Sequence, residues 1–280
     1  SLDKKHLLVL DSYGNILSYD VGDGKFIRSH KVKWPDKETS FDAICPSKQN
    51  GYFLFASNPS MSKVSSFETE FNCLGEFDSE GNLISEGFPR TDFNFSPNRF
   101  TRSYDNSTIM RPLEGNRKNN LAYKIKNGEI SSFLNIDFGD QYIPDKYVFD
   151  FPGNPWLNIQ KVVLSEYYKL PQHIHETKSF IYFWCGGPQG ETHEFLYNKL
   201  TKEIIRWKSD ERYPFTFIAS DDTNFYAVLS DVSKNEDELI PNPLKVYLEN
   251  NYGLEKTDKH TNPFLIKIQF NNQLREVSNE

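Results

Sequence analysis

Two histidines one residue apart open the chemistry on offer in this sequence. In His173-Ile174-His175-Glu176 an extended backbone puts His173 and His175 on one face, where two imidazoles can share a metal ion. His193-Glu194 follows one hairpin later, which makes His193 the candidate third ligand. A metal-assisted hydrolase or lyase drawing on His173, His175 and His193 is therefore one reading. A metal centre needs three or four converging ligands with outer support, however, and spacing alone pairs only two. As partly exposed histidines on a strand they hold no metal, and none is assigned.

Other reactive residue types fall short of a site. The stretch Cys185-Gly186-Gly187-Pro188-Gln189-Gly190 lacks the Lys-Ser/Thr and the following helix of a phosphate loop, so it reads as a hairpin turn. Nothing near Cys185 in sequence would lower a thiol pKa, so it reads as a buried structural cysteine. Asp137, Asp140, Asp145 and Asp150 cluster in sequence, yet paired carboxylates act in glycoside hydrolysis only across a defined gap. Hydrogen bonding to turn amides is their expected role. The GxSxG, HExxH, DFG and GxGxxG signatures do not occur. No catalytic residue and no cofactor is assigned.

Aromatic loops offer a different use. Asp150-Phe151-Pro152-Gly153-Asn154-Pro155-Trp156 is stiffened by two prolines, and Phe151 and Trp156 in such a loop can stack on sugar rings or anchor a partner. The same side chains can equally fill the gap between neighbouring sheets. Trp34-Pro35 supports the argument more weakly. Phe151, Trp156 and Trp34, with His173, His175 and His193, are the candidate ligand-contacting residues.

Whatever positions these residues is built of short strands. The chain has 280 residues, of which 23 are Phe, 15 Tyr and 4 Trp, with only 2 Met. That balance suits pleated, half-buried surfaces. A formal charge of −7 with acids and bases interspersed argues against nucleic acid, which calls for a basic face. No run of eighteen apolar residues occurs. The start, Ser1-Leu2-Asp3-Lys4-Lys5-His6, has no apolar stretch behind a basic one and reads without a signal peptide. Three well-separated cysteines, Cys45, Cys73 and Cys185, match no zinc spacing and allow one disulfide at most.

A unit of strand, Gly-containing turn and strand recurs along the chain. Residues 7–11 and 16–20 flank Ser12-Tyr13-Gly14-Asn15, and residues 74–78 and 83–85 flank Ser79-Glu80-Gly81-Asn82. Lys126-Asn127-Gly128-Glu129 sits between strands at 121–125 and 130–134, and further units span 179–207 and 224–270. Glycine and asparagine supply the positive φ that tight hairpins need. Five units at roughly 40 to 55 residues apart match propeller blades, each of which needs a neighbour to cover its faces. A sandwich or a pair of small barrels also consists of short strands but has no such period. Residues 236–253, with Pro243 early and Gly253 late, read as a helix inserted in the last unit.

Three segments resemble a family. Leu8-Val9-Leu10-Asp11 with Asp20 and Gly24-Lys25-Phe26-Ile27, the run from Phe133 to Pro144, and Thr261-Asn262-Pro263 before Phe264-Leu265-Ile266-Lys267-Ile268 are similar, in that order, to a family of six-bladed β-propellers abundant in Bacteroidetes. The likeness runs from about Leu7 to Phe270. It implies one domain over 1–280, an all-β propeller of four-stranded antiparallel blades, and export to the periplasm or outer-membrane surface. The family's lipid-anchored start and further stretch ahead of the Asp-containing strand are not in this sequence, so five or six blades are expected. The family has no shared activity. The expected function is a non-catalytic binding or scaffold module that holds a protein, peptide or glycan on one face of the propeller.

Overall fold

Two five-residue turns show how the repeat is made. Asp11-Ser12-Tyr13-Gly14-Asn15 and Asp78-Ser79-Glu80-Gly81-Asn82 share the pattern Asp-Ser-X-Gly-Asn. In the first, Asp11 Oδ1 accepts the backbone N–H of Tyr13 and of Asn15 at 2.8 Å each, and Oδ2 accepts the Asn15 side-chain amide at 2.6 Å. Asp78 repeats this with Glu80 and Asn82 at 2.8–2.9 Å. Gly14 and Gly81 sit at φ 79° and 81°, a left-handed conformation that costs a Cβ-bearing residue about 1 kcal/mol or more. These bonds, led by the Asn side chains, hold both carboxyls below the usual range.

The computed structural model describes residues 5–11, 13–34, 40–48, 50–58, 71–90, 100–111, 121–144, 160–169, 171–209, 215–229 and 264–270. Their strands form five antiparallel meanders. The first sheet holds β1 (His6–Leu10), β2 (Asn15–Asp20) and β3 (Phe26–Lys31), and the second β4 (Ser40–Pro46), β5 (Tyr52–Asn58), β6 (Phe71–Phe77) and β7 (Leu83–Arg90). The third holds β8 (Phe100–Arg102), β9 (Thr108–Met110), β10 (Leu121–Lys126) and β11 (Glu129–Asn135). The fourth holds β12 (Pro171–Glu176), β13 (Phe180–Gly186), β14 (Thr192–Asn198) and β15 (Ile204–Ser209), and the fifth β16 (Phe215–Ser220), β17 (Phe225–Leu229) and β18 (Phe264–Ile268). Each expected repeat unit falls in its own sheet, and the architecture is the all-β propeller of small antiparallel blades. The helix expected over 236–253 lies outside the described residues.

The sheets stack through alternation. Ile16, Phe41, Leu54 and Phe77 join the first sheet to the second, and Cys45, Phe55, Met110 and Ile125 join the second to the third. Ile109, Ile174, Phe183 and Phe195 join the third to the fourth, and Tyr182, Leu196, Phe217 and Phe225 the fourth to the fifth. The innermost strands meet: β4 lies against β8, β8 against β12 and β16, and β12 against β16. Cys45, Cys73 and Cys185 are all buried, and none of them forms a disulfide.

Trp34 wedges between the first two sheets. Its ring meets Phe41 edge-on at 5.6 Å and Phe77 at 5.8 Å, and a Cβ added at Gly75 would fall inside its contact distance. Small glycine makes room for a large ring. Gly75→Ala should therefore cost about 1–3 kcal/mol through overpacking, read as a lower urea midpoint with altered tryptophan fluorescence.

Candidate functional site

The two ends of the ring differ. From second sheet to fifth, tight turns join first to second strands at 47–51, 103–107, 177–179 and 221–224. The strand ends joined across 59–70, 91–99, 112–120, 136–170, 210–214 and 230–263 all lie at the opposite end. Binding residues gather on loops held by a rigid scaffold, so the long-connection end is where a partner is to be sought.

The inner strand β12 carries the candidate residues there. Its pairing with β13 slips between Gln172 and His175, so that one extra residue bulges, and His173 sits at φ 48°. Strained backbone of this kind costs of order 1–3 kcal/mol and is a marker of functional sites. The bulge sends Ile174 into the core shared with the third sheet. It leaves His173 and His175 together on the other side, with ring centroids 6.5 Å apart. The His173 ring stacks on Trp184 at 5.5 Å and 19°. Gln172 accepts a hydrogen bond from the Arg111 guanidinium at the end of β9, and Arg111 is 2% exposed. Trp184 pairs in register with Glu194, whose carboxylate accepts the Tyr182 hydroxyl at 3.0 Å. The result is a half-buried patch of flat rings and planar hydrogen-bonding groups at the long-connection end.

His175 lies deeper, at 1% exposure. Its Nε2–H donates to the Phe217 carbonyl on β16 at 2.9 Å. That bond assigns the tautomer and leaves the buried Nδ1 as a lone pair with no partner. Burial, helped by the neighbouring His173, pushes its pKa down to about 4. Burial and the Arg111 charge also lower that of His173. Both rings are therefore neutral near pH 7.

His193 does not join them. It lies on the opposite face of the same sheet, where its Nε2 faces Glu191 Oε2 at 3.0 Å and its Nδ1 faces the Tyr168 hydroxyl at 3.2 Å. Tyr168 in turn accepts from Arg206 at 2.9 Å. The three-histidine centre fails for a simple reason: strand alternation sends Glu194 to the His175 side and His193 away from it. Among the described residues no group of three or more His, Cys, Asp or Glu side chains is placed to hold a metal. Cys185 is buried and its thiol pKa is pushed up to about 12, the opposite of an activated nucleophile. Trp34 is a wedge between sheets. Phe151 and Trp156 lie outside the described residues.

Spacing in sequence hid a second cluster, at the tight-turn end. Glu176 closes β12 and is 3% exposed. Lys199 reaches its Oε1 at 3.0 Å and Lys124 its Oε2 at 2.6 Å, while Ser103 donates to the same Oε2. Lys199 and Lys124 also lie over the Tyr104 ring, at 4.8 and 5.7 Å. The Ser220 hydroxyl donates to the Glu176 backbone carbonyl at 2.8 Å. The Glu176 carboxylate thereby ties the third sheet to the fourth, and its backbone carbonyl adds the fifth. No sequence signal links positions 103, 124, 176 and 199, because only the ring closes the distance.

Comparison with known proteins agrees with this architecture. A family described as 6-bladed beta-propeller (DUF5128) matches residues 1–240. A crystal structure from Bacteroides fragilis, described as an exported protein, superposes with a TM-score of 0.65 at 14% identity, covering 97% of this chain and 76% of that one. BamB from Moraxella catarrhalis gives 0.37 at 12% identity, covering 81% and 54%. The Pan2 WD40 domain of Neurospora crassa gives 0.38 at 9%, covering 85% and 57%. No curated protein matches the chain in sequence.

Proposed function

The chain belongs to a family of six-bladed β-propellers, and from that premise we propose that it is a non-catalytic binding or scaffold module of the cell envelope. It holds a protein, peptide or glycan at the long-connection end of the ring, over the β12 bulge. The observation that carries this reading is the strained His173 ring stacked on Trp184 beside Gln172, Arg111 and Glu194. Flat rings bordered by planar donors and acceptors recognise sugars and peptides alike. Export is supported by the exported neighbour from Bacteroides fragilis. The periplasm or the outer-membrane surface is the proposed compartment, with membrane contact through a lipid anchor alone.

The test is a thermal unfolding series with glycan fragments and peptides, repeated after chelation and after adding back divalent metals. A ligand at a hundred times its Kd adds about 2.7 kcal/mol, a rise of roughly 5–10 °C for a domain of this size. His173→Gly relieves the backbone while removing the ring, and it should abolish the rise. A rise that survives His173→Gly would move the site elsewhere. A rise with metal alone, lost in a His173→Ala/His175→Ala double variant, would replace this proposal with metal-assisted chemistry.

A further inference from the structure

The outer edges of the sheets are not alike. β3, β7, β11, β15 and β18 lie at the outer ends of their sheets, and among the described strands each pairs on one side only. An unpaired edge is a template for another strand unless something blunts it. β3, β7 and β11 are blunted. Each carries one extra residue against its neighbour: Ile27 on β3, Ile84 on β7 and Phe133 on β11. β7 adds Phe88 at φ 61°, just before Pro89. Bulges and prolines bend an edge out of register with any newcomer.

β15 has none of these devices. It is the fourth strand of its sheet, and all six of its residues pair one for one with β14, from Tyr197 with Ile204 to Thr192 with Ser209. It contains neither proline nor glycine. Ile204 is 62% exposed and Ile205 37%. Along such a straight edge alternate N–H and C=O groups point away from the sheet. β18 is unbroken too, but it is only the third strand of its sheet.

Charge decides what this edge accepts. The chain carries −7 overall, yet Lys202, Arg206 and Lys208 outnumber Glu203 along and beside β15. Arg206 is exposed and spends one N–H on the Tyr168 hydroxyl at 2.9 Å, which leaves its fork other donors. Basic residues on an edge repel a like strand, and opposite carboxylates they form cross-strand pairs. A second copy would lay one basic strand against another.

We propose that β15 is a docking edge for an extended, acidic segment of a partner protein, which adds a fifth strand to the fourth sheet. Branched residues of that segment continue the apolar edge at Ile204 and Ile205, and its carboxylates face Arg206. β15 and β12 are opposite ends of one sheet, so this outer surface and the β12 bulge can be occupied together.

The experiment is amide hydrogen exchange resolved by residue, on the protein alone and with a capped peptide of alternating Val and Glu. In the free monomer the outward amides of β15 should exchange openly, and the peptide should slow them on the order of a hundredfold. A peptide of alternating Val and Lys should bind on the order of tenfold more weakly. Methylating alternate nitrogens of the Val–Glu peptide should abolish binding in one parity and spare it in the other, as a strand ladder requires. Ile204→Lys, at an exposed position, should leave the urea midpoint unchanged and weaken the peptide. Outward amides already protected in the free monomer would overturn the proposal, because another segment of this chain would then cover the edge. Protection that grows with protein concentration, without peptide, would overturn it by making a second copy the occupant. So would a Val–Glu peptide that leaves β15 unprotected or binds no better than its lysine counterpart.

Discussion

Glu176→Gln should lower stability by about 3 kcal/mol, near the bottom of the range for breaking a buried ion pair on one side. The amide keeps the shape of the side chain, so packing is unchanged and the loss is electrostatic. Its oxygen can accept from one ammonium, but its NH2 then confronts the other as donor against donor. Lys124 retains Asp105 at 3.7 Å, so the ammonium stranded is that of Lys199. Adding Lys199→Met to the Glu176→Gln variant should recover part of the loss, because the unpaired charge leaves with it. Urea unfolding of the two single variants and the double variant measures this coupling directly. A loss under about 1 kcal/mol for Glu176→Gln would mean that water reaches the cluster and that the sheets are not tied there.

Legibility followed the range of each interaction. The Asp-Ser-X-Gly-Asn turns at 11 and 78 were readable because every bond they make is local: the Asp side chain reaches no further than four residues on. Most longer strands were readable too, but the inner strands β4 and β16, whose pairing is broken by bulges, fell outside every unit read from the sequence. The inner strands β8 and β9 were not readable, since three residues each carry no period. Glu176 could be seen as the end of a His-Ile-His-Glu motif, but not as the partner of Lys124 and Lys199, 52 and 23 residues away.

The histidines divide along the same line. His173 and His175 were paired by the period of an extended strand, and the bulge that keeps them together adds one residue that no pattern announces. His193 was joined to them by nearness in sequence, whereas the face of a strand is decided by parity with Cys185 and Trp184 on the neighbouring strand. The chemistry of the ring's ends follows. The tight-turn end is locked by local caps and one buried carboxylate. The long-connection end carries the strained His173 backbone and the half-buried rings of His173 and Trp184.

The second large effect is the response to acid. In the unfolded chain His175 binds a proton near pH 6.5, and in the folded protein burial delays this to about 4. Between those values the unfolded state binds more protons, so stability must fall as pH falls through that window. The full displacement is worth about 3 kcal/mol. His173 pulls in the same direction. Asp105 and Asp221 act in another range: hydrogen bonds and nearby lysines hold Asp105, and hydrogen bonds hold Asp221, well below the usual carboxylate value despite some burial. Their stabilisation is complete above about pH 4 and is lost only below it. Urea midpoints measured between pH 6.5 and 4.5 therefore isolate the histidines. His175→Gln keeps a side-chain N–H for the Phe217 carbonyl while removing the titration, and should flatten most of the slope. An unchanged slope would mean that the ring is hydrated and free to protonate, and that the contact between β12 and β16 is looser than a buried Nε2–carbonyl bond requires.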